Sequence, residues 1–471
     1  SYGNRLGNGV ELLLSGTLGD NEGKHRLYYP EFDDPATHNG IAEDMDGEAF
    51  KNLFARVSWN DFTLEGGYGD REKAIPTGSY GTVFNARESR TWDYRGFVDL
   101  KYQTLLDSGA ELTARLFYDR YWYDGDYLYD YGDPGDPYIV INKDSADGRW
   151  WGSELQWNQR FGSHHLILGA EYRDSISEEQ RNYDVDAVYL DSDSDTSVWA
   201  VYLQDELNLW EGLILNLGLR HDHYSDFGNT TNPRAALIWS PLDGTVLKLL
   251  YGEAFRAPSA YERIYNDGGE TQKPARGLEP ETISTVELVL EQQLAANLRG
   301  VASLYRNKIK DLIALDTDPV EDLLVFVNQG DAEAQGAELE LERRWEGGAT
   351  TSMSYSYQHA EDERTGDRLV NYPRHMLKLN LTTPLLDNAL GAGLEVQYED
   401  GRLTLADNKS DSRLLVNLTL YSEQWVKGLN ASATFYNLFD RIYADPGSEE
   451  HLQDQIEQDG RTFRLKLDYA F

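Results

Sequence analysis

The chain has 471 residues, too many for an ordinary single compact core but well suited to a closed β-barrel, which grows without a thicker interior. Its 43 basic and 81 acidic residues leave a net charge of −38, which argues against a nucleic-acid ligand, since phosphate binding needs clustered Lys and Arg. With no cysteine there is neither a disulfide framework nor a thiolate nucleophile or metal site, and no run approaches the roughly 18 apolar residues of a membrane helix.

From the N-terminus, Ser1 to Leu6 reads as the tail of a strand, turned by Gly7-Asn8-Gly9 into a first full strand over Val10 to Leu18. Alternating segments of about ten residues follow, the length of a tilted membrane strand. They centre near Ala55, Leu64, Val98, Leu116, Leu155, Leu168, Tyr202, Leu215, Leu237, Leu249, Val286, Leu304, Leu339, Met353, Leu379, Leu394, Val416 and Ala433. The last is Thr462 to Phe471, where Phe463, Leu465, Leu467, Tyr469 and Phe471 oppose Arg464, Lys466 and Asp468. About 20 full strands are expected. The split is plain where Ala337, Leu339 and Leu341 oppose Glu338, Glu340 and Glu342, because a row of leucines facing away from a row of glutamates needs oil on one side and water on the other.

The connections alternate in length. Phe161-Gly162-Ser163, Trp210-Glu211-Gly212, Pro241 to Gly244 and Trp345 to Gly348 are tight, whereas Asp20 to Gly47, Asp124 to Asp147, Glu178 to Thr196, Arg256 to Pro280 and Tyr443 to Gly460 are long. That parity is the pattern of a bacterial outer-membrane barrel, with short turns in the periplasm and long loops outside. The 31 Tyr and 11 Trp suit its two aromatic girdles. The expected fold is therefore an all-β, antiparallel transmembrane barrel occupying residues 1–471.

Phe255-Arg256-Ala257-Pro258-Ser259, Leu278-Glu279-Pro280-Glu281, Asn328-Gln329-Gly330, Asn371-Tyr372-Pro373-Arg374-His375 and Asn437-Leu438-Phe439-Asp440 occur in that order. Together they resemble the recurrent barrel segments of the TonB-dependent outer-membrane receptors, over nearly the whole chain. The resemblance implies a 22-stranded barrel in a Gram-negative outer membrane, in contact with lipid and lipopolysaccharide. It also implies active uptake of a ferric siderophore, cobalamin or a similar metal chelate, driven by a TonB-type energy-coupling protein acting on an N-terminal plug. No plug-like region, coupling motif or secretory signal is found, so the plug and the first strand or two are expected to be missing. Phe471 resembles the terminal aromatic signal read by the barrel-assembly machinery. A passive, plugless diffusion channel is the alternative, with a barrel-borne surface hydrolase or adhesin behind it.

Site residues are sought in the long connections. Tyr123, Tyr127, Tyr129, Tyr131, Trp150 and Trp151 are placed to stack on a flat ligand, or else belong to the outer girdle. Adjacent Trp150 and Trp151 take opposite faces, so at most one meets lipid. Arg256, Tyr261 and Arg263 stand at the rise into a long loop, where cations would meet an anionic chelate or pair with wall carboxylates such as Glu253 or Glu262. The three segments Asp20 to Gly47, Asp124 to Asp147 and Glu178 to Thr196 hold 22 acidic against 4 basic residues. Within them Asp191, Asp193 and Asp195 have the spacing that opens a calcium loop, although Thr196 replaces the glycine; solvated loops are the competing reading. No cofactor is required and no catalytic motif is found, so no enzyme is expected.

Overall fold

In the computed structural model, residues 1–133, 135–269, 271–386 and 389–470 are described, with residues 423–426 as backbone only. Phe471 lies outside the described residues. One antiparallel sheet dominates. Twenty-one strands follow one another around it in chain order, from Tyr2–Arg5 and Glu11–Asn21 to Leu429–Tyr436 and Thr462–Tyr469. A short strand, Val188–Ser192, joins the same sheet beside the upper part of His164–Tyr183, which makes 22. All the segments expected from alternation are strands, and among the described residues no ladder joins Tyr2–Arg5 to Thr462–Tyr469.

The outward face is apolar and uncovered. Leu53, Leu116, Leu155, Leu203, Leu249, Leu288, Leu304, Leu339 and Leu465 are all exposed, and the ladders set them side by side, as at Leu249↔Leu288 and Leu288↔Leu304. A belt of that size faces hydrocarbon rather than water. Trp59, Phe62, Phe161, Trp210, Trp239 and Trp345 form its rim beside the tight turns. Trp151 lies ten residues from Phe161 on the same face, about 34 Å along the strand and about 26 Å in height at a tilt near 40°, close to the apolar band of an outer-membrane barrel.

The inward face is polar and paired. Arg95 binds Asp119, Arg115 binds Asp99, and Arg220 binds Glu171 at 2.7 Å and Asp222 at 2.9 Å. Each cation sits beside a carboxylate on the adjacent strand, on the next strand but one as for Arg220 and Glu171, or two residues along its own, which is how charges persist inside a wall.

Two of the expected long loops are largely strand. Glu111–Asp130 and Ile139–Phe161 run 20 and 23 residues, leaving only Tyr131 to Tyr138 as connection. His164–Tyr183 likewise continues well above the membrane band. Backbone pairing overrides the Asp, Gly and Tyr content there because each extension finds a long neighbour on at least one side. The remaining loops carry small hairpins and one satellite core of Tyr29, Ala42, Met45 and Phe84, onto which Leu27, Phe32 and Ile456 pack.

Candidate functional site

The hairpin Glu111–Asp130/Ile139–Phe161 pairs without a register shift from Glu111↔Asn158 to Asp130↔Ile139. Side-chain parity is therefore conserved along its whole height. Arg115 and Asp119 face the lumen, so Tyr123, Tyr127 and Tyr129 do too, as do their cross-strand partners: Ala146 opposite Tyr123, Asn142 opposite Tyr127, Asp144 opposite Gly125. The glycine matters. A Cβ at Gly125 would lie 2.6 Å from the Tyr123 hydroxyl and 2.6 Å from the Tyr127 ring, where the two phenols now share a 2.6 Å hydrogen bond.

On the next strand a bulge resets the parity. His164–Tyr183 pairs with its neighbour evenly up to Ser175↔Trp150, then resumes at Ser177↔Arg149. Residues of even number above this point face inward, so Gln180 stands opposite Ala146 and Asn182 opposite Asp144. Asn142 and Asn182 exchange amide hydrogen bonds of 2.8 and 2.9 Å, and Asn182 Nδ2 also donates to Asp144 at 2.5 Å.

The third wall is a single turn of helix, Ala260–Ile264. Five residues do not hold a helix alone. Here Ser259 caps Glu262 N–H while the Glu262 carboxylate accepts from Ser259 N–H, a reciprocal capping box. Arg256 grips the same Glu262 at 2.8 Å and Glu281 at 2.7 Å. The turn presents Tyr261 and Tyr265 four residues apart on one side, rings 4.7 Å apart. Tyr265 donates its hydroxyl to Asp144 at 3.0 Å, and Tyr261 donates to Gln272 Oε1 at 3.3 Å. Asp267 ties the following loop by accepting from Thr271 N–H at 2.9 Å and Gln272 N–H at 3.1 Å.

These walls and Tyr80 enclose a cavity of about 280 Å³, with Tyr131 at its edge. Burial pushes the phenols of Tyr123, Tyr127, Tyr129, Tyr261 and Tyr265 above their ordinary range and Tyr80 up to about 12, so all stay protonated. Burial also raises Asp144 to about 6, against the pull of its hydrogen bonds from Asn182 and Tyr265 and with the help of Asp267. Two lining groups are nearly inaccessible yet incomplete. Gln180 is 7% and Gln272 1% exposed, and Gln180 Oε1 and Gln272 Nε2 have no hydrogen-bond partner. Leaving such a group unsatisfied costs about 1–3 kcal/mol.

Of the residues singled out from sequence, Tyr123, Tyr127, Tyr129, Tyr131 and Tyr261 line this cleft. The two arginines beside it are occupied by carboxylates: Arg256 as described, and Arg263 with Asp226 at 2.9 Å and Glu178 at 3.8 Å. Trp150 falls on the luminal face opposite Asp119, and Trp151 on the outer face opposite Tyr118, where it packs on Tyr172 and donates to Asp174. Neither lines the cleft. Asp191 meets Arg181 at 3.5 Å, and Asp193 accepts from Ser177 Oγ and Glu178 N–H. Among the described residues no group of three or more His, Asp or Glu stands ready to hold a metal ion. Sequence reasoning missed Asp144, Asn182, Gln180, Tyr265 and Gln272. Tyr265 was within reach, because Ser259 and Glu262 spell a capping box that puts Tyr261 and Tyr265 on one face.

The family model for TonB dependent receptor-like β-barrels matches residues 31–438. The chain belongs to this family. It is 27% identical over 342 residues to the iron-regulated outer membrane virulence protein of Vibrio cholerae, covering 66% of this chain and 50% of that protein. With the heme/hemopexin utilization protein C of Haemophilus influenzae it shares 24% over 349 residues, covering 65% and 48%. The chain thus spans about half the length of these relatives. Among solved structures, the ferric enterobactin receptor of Pseudomonas aeruginosa superposes with a TM-score of 0.77 at 19% identity, covering all of this chain and 77% of that one. The copper transporter OprC gives 0.76 at 18%, covering 98% and 76%. These likenesses, with the lipid-facing belt, place the TonB-dependent receptor barrel in the outer membrane of a Gram-negative bacterium. The family is one of transport receptors, not enzymes.

Proposed function

We propose that this barrel belongs to a receptor that captures a metal chelate at the cell surface, a ferric siderophore, cobalamin or a similar complex, and admits it by TonB-coupled transport. The observation that carries the reading is the tyrosine cleft at the end of the barrel remote from the tight turns. It combines aromatic walls with two buried amide atoms, Gln180 Oε1 and Gln272 Nε2, that still lack partners. Largely apolar pockets with a few convergent polar groups are what ligand sites look like, and rigid strand extensions rather than mobile loops hold most of this one. A passive channel has no use for such a cleft. Its alternating wall would serve equally well with the upper strands trimmed to the membrane band.

Deleting the full gene and supplying defined iron-chelate or cobalamin sources tests the proposal. Growth or radiolabel uptake on one source should fall to background, return with the intact gene, and vanish again when the inner membrane is de-energised. Uptake that persists without energy would instead indicate a diffusion channel.

A further inference from the structure

The cleft is one-sided in charge. Among its described lining residues seven are tyrosines, two, Asp144 and Asp267, are acids, and none is Lys, Arg or His. The cations nearest in the chain are committed elsewhere: Lys143 to Asp126 at 2.6 Å, Arg181 to Asp191 at 3.5 Å, Lys273 to Asp318 at 2.5 Å and Glu321 at 2.7 Å, Arg263 to Asp226 and Glu178. A polyanion entering here would meet two carboxylates and no cation among the described lining residues, at the mouth of a protein already at −38. The polar groups that await a partner have a different character. Gln180 Oε1 is an acceptor and Gln272 Nε2 a donor, and both residues line the cavity while more than nine-tenths buried. Together they match an amide, which presents one donor and one acceptor. Phenol faces and their negative quadrupoles add affinity for flat or cationic groups.

Volume limits how much of a ligand is held. About 280 Å³ falls just below the roughly 300–1,000 Å³ of drug-sized sites, so the cleft takes one arm or edge of a bulky chelate rather than the whole.

We propose that this cleft grips an uncharged or cationic, amide-bearing arm of the chelate, and that the receptor therefore selects neutral or cationic complexes over polyanionic ones. The inference rests on the uptake reading above and names its substrate class. It would separate this protein from a relative of the same fold, the ferric enterobactin receptor of Pseudomonas aeruginosa.

The test uses the full-length receptor in detergent, with quenching of its intrinsic fluorescence as the readout. The probes are cyanocobalamin and a neutral ferric tris-hydroxamate, the same hydroxamate bearing a free ammonium, and ferric enterobactin as the polyanion, a trianion because three doubly deprotonated catechols surround one ferric ion. At least one neutral or cationic probe should bind at least about tenfold more tightly than ferric enterobactin. Asp144→Lys should weaken the ammonium probe and narrow or reverse the gap to the trianion. Gln180→Leu combined with Gln272→Leu should weaken neutral probes about tenfold while leaving heat-modifiable mobility intact, and Asp144→Asn serves as the milder variant where the lysine prevents assembly. Equal or tighter binding of ferric enterobactin, or probe affinities indifferent to all three changes, overturns the charge selection but leaves chelate uptake standing. Failure of every probe to bind overturns both.

Discussion

Gly125 and Asp144 face one another across a single rung of the hairpin, and each fixes a different property of the cleft. Gly125 is there for space. An alanine would push its Cβ into the Tyr123 hydroxyl and the Tyr127 ring, so Gly125→Ala should split the phenol pair and weaken binding of the best probe by about tenfold, with barrel mobility on gels unchanged. Asp144 is there for charge. Burial holds its carboxyl near 6, well above the unfolded value, so the folded protein keeps this proton to higher pH than the unfolded chain does. Stability from this group is therefore present at acid pH, falls as pH rises from the ordinary carboxylate range to about 6, and is level above that. A carboxylic acid infrared band should disappear with a midpoint near pH 6 and be missing in Asp144→Asn, and binding of an ammonium-bearing chelate should strengthen as pH passes that midpoint. The groups facing the carboxyl are Asn182, Tyr265 and Asp267, so a flat response between pH 5 and 7 would mean that water reaches it.

At the scale of elements, the bulge between Ser175 and Ser177 decides which face of the strand the cleft sees. Ile176 is the extra residue, and pairing resumes beyond it at Ser177↔Arg149, so deleting Ile176 would straighten the strand while leaving Gln180 opposite Ala146 and Asn182 opposite Asp144, both facing inward. The expected result is a barrel that assembles, migrates normally and still binds chelate; loss of binding would mean that the bulge itself, and not only the register above it, shapes the cleft. The helical turn is fragile for another reason: Glu262 serves both the Ser259 cap and Arg256. Glu262→Ala should cost about 1 kcal/mol locally, seen as faster amide exchange at residues 260–265. These two elements also mark the limit of what the chain discloses unaided. Membrane strands were legible because period-two alternation is a one-dimensional signal, clear from Leu13 to Leu467. The strand extensions were not, since Asp124 to Asp147 is as rich in Asp, Gly and Tyr as any loop and is ordered only by the pairing of three long neighbours. Tyr123, Tyr127 and Tyr129 were found as an aromatic cluster. Asp144, Gln180 and Asn182 were not, because opposing them requires the cross-strand register and a bulge that leaves no mark in composition.

For the molecule as a whole, the two faces of one strand pair predict opposite tolerances. Leu304 is exposed on the outward face, and it follows the tight-turn end of its strand by six residues, about 15 Å above the rim and so near the middle of the band. Its ladder partners, Leu288 and Ala337, continue the apolar surface, leaving an introduced charge no counter-ion within the belt. Leu304→Arg should therefore cost about 2–4 kcal/mol, observed as a lower midpoint in urea refolding into lipid vesicles. Glu338, on the opposite face of the neighbouring strand, stands opposite Ser303 and Ser356, where an uncharged side chain meets hydrated polar neighbours. Glu338→Gln should shift that midpoint by no more than about 0.5 kcal/mol. The pair is informative because both positions lie at similar height and on adjacent strands, so strand propensity and depth largely cancel. If the arginine were tolerated as well as the glutamine, the leucine belt would not be facing hydrocarbon, and the membrane-spanning reading of this sheet would fail with it.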